Sequence, residues 1–363
     1  MKIFVKNIME NLKAISNVTC DFVYIDVTDS SNYALYISTD VQAIKVPLEI
    51  TDVTEDEKKI YVVNKVEFTH LIPYVTEFIN FTSDYSYMAN ENAIKGKFES
   101  NDSYSEELES RKMLFDKESE YEDFAEVTPS IMEGITSGSI FVSPDSIKAS
   151  ERYLDVKDHT VFSYSKMQIY INKIDVDHEG LLSSEVIKAI QSLGVGAIIK
   201  SNNDSLLLTN AQRSIFIYQS IANDVDYHPV LEEKFQAKIQ NVKTFNKITL
   251  NIEDLKNKLD YIFFYSQKNP NTLCYLNVEN DKVSLSTDEN TFVELPTVEF
   301  EKTEEFETMN VPFNCQSMQL ITAKVGKECE NLSWFVSSDS SNKLMLLQFG
   351  DSDEIVVIAK LNL

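Results

Sequence analysis

Catalytic and metal sites are mostly built from histidine, cysteine and clustered carboxylates, and this chain of 363 residues arranges them sparsely. Its four histidines (His70, His159, His178, His228) are scattered, with no HExxH and no His/Cys cluster beside them. The segment DVDHEG, from Asp175 to Gly180, gathers three carboxylates around His178 and could attract a hard cation. It lacks the spacing of a calcium loop and falls between a strand and a helix, so it reads as a structural loop. Glu232 and Glu233 after His228 could move protons, but a carboxylate pair says little in a chain with 58 Asp and Glu. Cys20, Cys274, Cys315 and Cys329 form no CxxC and no metal spacing; they read as reduced, largely buried thiols. With only eight glycines, neither GxGxxG nor GxxxxGK[ST] occurs. The common hydrolase, nucleotide and metal motifs are thereby absent, and the expectation is a protein without catalysis, cofactor or metal.

Charge is the next chemistry-bearing feature. The net charge is −25, which repels phosphate taken as a whole. Its distribution matters more. Six predicted helical windows (6–17, 64–79, 143–157, 183–193, 251–268 and 314–327) hold twelve Lys/Arg against ten Asp/Glu. Acids such as Glu67, Asp145, Glu185, Glu253 and Asp254 fall in first turns, where they offset the helix dipole. The bases Lys6, Lys13, Lys65, Lys148, Arg152, Lys188, Lys256, Lys258, Lys324 and Lys327 form the candidate set for a helix-lined surface that faces a polyanion. Nearly all the excess negative charge lies off these helices.

The elements that must position those bases repeat. A short apolar strand, a polar cap and one amphipathic helix recur six times, starting at Ile3, Ile60, Ile140, Gly180, Ile248 and Met309. Asn64 with Glu67, and Asn251 with Asp254, have capping-box spacing; Ser143 before Pro144 predicts a third helix start. Gly194 and Gly326 stand where left-handed terminators belong, and Pro73 should kink or shorten the second helix. Ile8, Leu12 and Ile15, and Ile252, Leu255, Leu259 and Ile262, give buried stripes. Alternating runs such as YALYIS, SIFIYQSI and EIVVIAKLNL lie between the helices, with turn signals between them, and predict antiparallel hairpins. The lone Trp334 reads as strand core. The class is α+β. Pairing consecutive units gives three domains, 1–127, 128–240 and 241–363, the first ending in an acidic, serine-rich connector over 100–126. No apolar run reaches membrane-spanning length, and a cytoplasmic protein is expected.

In unit order and in three local patterns the chain resembles the bacterial-type DNA polymerase sliding clamp, or β clamp. VPFNCQSMQLITAKV at 311–325 is similar to that family's last helix start, SIFIYQSIANDVDYHPV at 214–230 to the close of its second domain, and EIVVIAKLNL to its C-terminal strand and tail. The resemblance implies three tandem clamp-like domains, each with two helices on antiparallel sheets, closing as a homodimer into a pseudo-six-fold ring around double-stranded DNA. It also implies a pocket for short peptide motifs of the DNA polymerase and clamp loader. By position, Met167, Ile169, Val357, Ala359, Leu361 and Leu363 are its candidate lining. The family's Asp-Gly-His-Arg strand has no counterpart here, and Ala359–Lys360 replace its usual Met-Pro, a drift that suits a divergent or phage-encoded clamp. Competing readings are a trimeric two-domain clamp, an acidic virion or structural protein, and a metal-dependent nuclease.

Overall fold

The computed structural model describes residues 1–99, 112, 115, 118–148, 151–165, 168–176, 179–202, 205–217, 233–288, 291–303 and 305–360. Among these, seven α-helices follow one another: α1 (Lys6–Asn17), α2 (Lys65–Leu71), α3 (Pro129–Ser139), α4 (Ser184–Leu193), α5 (Glu233–Val242), α6 (Ile252–Ser266) and α7 (Cys315–Lys324). The strands between them pair antiparallel in four sheets of five, eight, nine and four strands. By contact the backbone forms two compact units, 1–128 with 188–221, and 129–187 with 222–363. The five- and eight-stranded sheets lie in the first unit, the nine- and four-stranded sheets in the second.

Strand followed by helix is real in five of the six expected places, but α1 starts after Val5 with no side-chain cap, so its polar cap is absent. Asn64 accepts from the N–H groups of Val66 and Glu67, Asn251 from those of Glu253 and Asp254, and Asn314 from that of Ser317. Each satisfies donors that a helix start leaves unpaired. Only half of the Asn64–Glu67 capping box forms, because the Glu67 carboxylate accepts the Glu99 N–H at 3.1 Å instead of turning back. Pro73 acts as expected: α2 stops at Leu71, and one 3-10 turn over Ile72–Tyr74 replaces the longer helix predicted to residue 79.

The third helix is a correction. The described residues of 143–153 form no α-helix; α3 lies upstream, starting at Pro129 after Thr128, and buries Ile131 and Ile135. Ile147, which a helix over 143–157 would have to cover, is 95% exposed. Instead the Ser143 N–H bonds the Glu151 carbonyl at 2.6 Å, folding the segment back into a loop before the strand Leu154–Lys157. Two glycines had hidden α3, since each weakens a helix by about 1 kcal/mol against alanine. Gly138 is needed for packing: a Cβ there would lie 2.4 Å from Leu154 Cδ1 and 3.1 Å from Tyr170. Gly326 repeats this logic after α7, with φ +60° and a hypothetical Cβ 2.2 Å from the Phe349 ring.

The connector also differs from expectation. Its described end, Glu122–Glu126, is a strand of the eight-stranded sheet, pairing with Ile198–Ser201, and Phe115 and Tyr121 pack on that sheet's face with Tyr24, Tyr36 and Phe216. In the second unit α5, which the sequence pattern had left without a helix, covers the corresponding kind of face. Its Ile239 and Val242 pack with Phe162, Ile171, Phe335, Leu346, Ile355 and Val357 of the nine-stranded sheet. With both faces covered, central strands read as unbroken apolar runs rather than as alternation: Ala34–Ser38 and Ile355–Ala359 are each buried at their first four positions. Trp334 is fully buried, its indole N–H 3.3 Å from Met345 Sδ.

Candidate functional site

In the second unit the strand Gln168–Lys173 starts beside the end of Ile355–Ala359, with Gln168 opposite Ile358 and Ile169 opposite Val357. Side chains alternate between the faces of a sheet. Ile169 and Val357 therefore share the α5 face, while Gln168, Tyr170, Val356 and Ile358 share the other. On that second face a cavity of about 590 Å³ opens, a volume typical of pockets that seat a few side chains. Phe313, Met318, Ile358 and Ala359 form its apolar floor. Ser143, Asp145, Ser146, Glu151, Ser165, Gln168, Asn271, Asn314 and Ser317 make its polar rim.

The walls are fixed by their own hydrogen bonds. Ser146 Oγ donates to Glu151 Oε2 at 2.6 Å, and the Arg152 guanidinium donates to the carbonyls of Ser146 at 2.5 Å and Ile147 at 3.3 Å. Lys148 Nζ lies 3.4 Å from Glu151 Oε1. Opposite this loop, Asn314 caps α7 through its oxygen and donates its amide to the Asn271 carbonyl at 2.6 Å, tying the start of α7 to a turn in which Asn271 has φ +57°. Glu354, just before the last strand, is buried and accepts from Tyr170 Oη at 2.8 Å. Burial pushes the Glu354 carboxyl above its ordinary value; burial first, and then the Glu354 charge, does the same to the Tyr170 hydroxyl.

Of the expected pocket residues, Ala359 lines this cavity. Ile169 and Val357 do not: both lie in the apolar cluster under α5. At Ile169 and Val357 the expectation falls on the opposite face of the sheet from the cavity, because in a strand one residue exchanges the faces. Met167, Leu361 and Leu363 lie outside the described residues, as do Asp177, His178, His228 and Glu232 of the two acidic motifs. Phe313 and Met318 were missed as lining although VPFNCQSM had been noticed as a helix start; a cap holds the preceding and following apolar residues on one side of the chain. The loop 143–152 gave no signal of its own once it was read as a helix.

The basic set divides in the same way. Lys6, Lys13, Lys188 and Lys324 are exposed on their helices, Lys256 and Lys258 are half-buried on α6, and Lys327 is exposed in the turn after α7. Lys256 has Glu253 at 3.7 Å. Lys148 and Arg152 belong to the cavity loop instead. Lys65 is buried, its ammonium donating to the Ser16 carbonyl at 3.1 Å and to the Val18 carbonyl. It caps the C-terminal end of α1, where a cation meets the negative end of the helix dipole. Sequence reasoning missed Arg213 altogether. Its buried guanidinium donates to Asn11 Oδ1 of α1 at 2.8 Å and to the Ser192 carbonyl of α4, while Nε has no partner among the described residues. Burial alone lowers its pKa. With these bounds, α1 to α4, α6 and α7 carry seven Lys/Arg and seven Asp/Glu, so the formal −25 lies entirely outside them.

Solved structures of one kind match this arrangement from end to end. The DNA polymerase III beta chain of Streptococcus pneumoniae aligns at TM-score 0.70 and 13% identity, covering 100% of this chain and 99% of that one. The fold is that of the DNA polymerase III beta subunit. The beta subunit from Pseudomonas aeruginosa gives TM-score 0.73 at 11% identity, with 100% and 99% coverage. The Helicobacter pylori beta clamp bound to a DNA ligase peptide gives 0.70 at 15%, each chain covered in full. No protein-family model matches the chain, and no curated protein does. The beta-subunit likeness is thus carried by backbone path, with side chains replaced almost throughout. Among the described residues no helix is long and apolar enough to cross a membrane.

Proposed function

We propose that the chain is a DNA sliding clamp: a homodimeric ring that encircles duplex DNA in the cytoplasm and tethers a replicative polymerase, with no chemistry of its own. The observation that carries this reading is the full-length likeness to beta subunits, which covers 99–100% of both chains of each pair. Three tandem domains, 1–127, 128–240 and 241–363, are part of the same proposal, two helices each facing DNA. A closed ring needs only weak, exchangeable lysine–phosphate contacts, so helices of zero net charge in a chain of −25 suffice where helices as acidic as the rest would not. Lys6, Lys13, Lys188, Lys256, Lys258 and Lys324 are the proposed contacts; Lys327 is a peripheral one.

Sheet edges support closure by two copies. The five-stranded sheet ends at Ile94–Lys97 and the four-stranded sheet at Phe292–Leu295. The first edge exposes Lys95 and Lys97, the second Glu294 and Phe292, beside Tyr261 and Phe264 of α6, which are 51% and 67% exposed. Joined across copies, these edges would make nine strands, the size of the largest sheet in the chain. The cavity at Phe313, Met318 and Ile358 is proposed to receive short peptides of the polymerase and clamp loader.

Sedimentation tests the assembly: a dimer of about 83 kDa, twice the 41.5 kDa chain, is expected at micromolar concentration, and monomer alone would oppose it. Charge reversal at Lys6, Lys13, Lys188 and Lys324 should weaken DNA retention with a shallower salt dependence while leaving the melting temperature unchanged. Unaltered retention would remove those helices from the DNA surface.

A further inference from the structure

The cavity combines an apolar floor with a rim whose charges, among the described residues, are of one sign. Phe313, Met318 and Ile358 can take an aliphatic or aromatic side chain. Two carboxylates, Asp145 and Glu151, stand at its edge with the hydroxyls of Ser143 and Ser165, and among the described residues no Lys or Arg lines it. The two cations of the same loop are otherwise engaged: Lys148 sits against Glu151, and Arg152 is folded onto the Ser146 and Ile147 carbonyls. Asp145 is exposed and, among the described residues, forms no ion pair. Around this rim the whole chain carries −25, a field that slows the approach of any acidic segment and speeds that of a basic one.

Resting on the peptide-pocket reading above, we infer that the partner segment this cavity selects carries a Lys or Arg next to the apolar side chain it seats, and that Asp145 chooses it. The floor supplies most of the affinity through burial of the anchor. The rim supplies sign: acidic flanks meet unpaired carboxylate and net repulsion, basic flanks meet an acceptor. An exposed ion pair contributes modestly, so the discrimination expected from Asp145 is about three- to fivefold in Kd, expressed mainly in the association rate and shrinking as salt rises.

The test uses the full-length protein and two nine-residue peptides with the same Leu-Phe anchor, one flanked by Lys and the other by Glu. Binding is followed by fluorescence anisotropy at about 30 mM and 300 mM salt, where screening differs strongly. The Lys peptide should bind several-fold tighter at low salt, and the gap should narrow at high salt and in Asp145→Asn. Equal binding, or tighter binding of the Glu peptide, overturns the inference while leaving the pocket in place. A gap unchanged in Asp145→Asn overturns the assignment to Asp145. Failure of both peptides to bind, or binding unaffected by Met318→Asp in a protein with unchanged circular dichroism, overturns the peptide-pocket reading itself.

Discussion

Lysine is the residue type whose meaning changes most with surroundings here. Lys13 and Lys65 both sit on helices, yet only Lys13 is exposed; the Lys65 ammonium is spent on two carbonyls at the end of α1. Taking an ammonium out of water costs several kcal/mol, and charge-assisted bonds of about 1.5–3 kcal/mol each with a favourable dipole offset it. Lys65→Met should therefore lower stability by about 2 kcal/mol, because it strands two carbonyls, and should leave DNA retention per folded molecule unchanged. Lys13→Glu should do the reverse, and denaturant titration beside a retention assay separates them. Glu354 gives a pH prediction. Its carboxyl is raised above the ordinary 4.5 by burial, so the folded state holds a proton that the unfolded state releases. Stability from this group is present below 4.5 and is lost as pH rises through the raised value. Glu354→Gln, which keeps an acceptor for Tyr170, should gain stability relative to the parent between pH 4 and pH 7. Parallel curves would contradict this.

Elements were largely legible where a cap stood at a strand end. Asn251 and Asn314 announce α6 and α7, and the stripe Ile252, Leu255, Leu259 and Ile262 is buried throughout. What stayed hidden was set by tertiary contact. α3 carries two glycines because its backbone lies against Ile174 at Gly134 and against Leu154 and Tyr170 at Gly138, a closeness no local pattern announces. The cavity was half legible for a similar reason: its last strand is buried on both faces, so no alternation tells which side Val357 takes and which Ile358. Arg213 left no sequence signal, since its partners Asn11 and Ser192 are distant in the chain. Gly138→Ala tests the packing account of α3. The new methyl gains about 1 kcal/mol of helix propensity but meets Leu154 at 2.4 Å, and overpacking of about 1–3 kcal/mol should win. A lower melting temperature is expected, recovered at least in part when Leu154→Ala is added. A stabilised single variant would show that α3 is free to move away.

At the scale of the whole molecule, the residues are almost all different from those of the solved beta subunits, yet the backbone path is shared from end to end at 11–15% identity. The fold has been kept while side-chain identity has not. The ring proposed above asks for matching sheet edges, helices that do not repel DNA, and a pocket for a partner. Topology is therefore the property to measure. The protein should be loaded onto nicked circular DNA by its cognate loader, and the fraction that co-elutes with DNA compared before and after a single linearising cut. A closed clamp predicts lasting retention on the circle and rapid loss from the free ends once it is cut. Equal retention on circular and linear DNA would contradict the account.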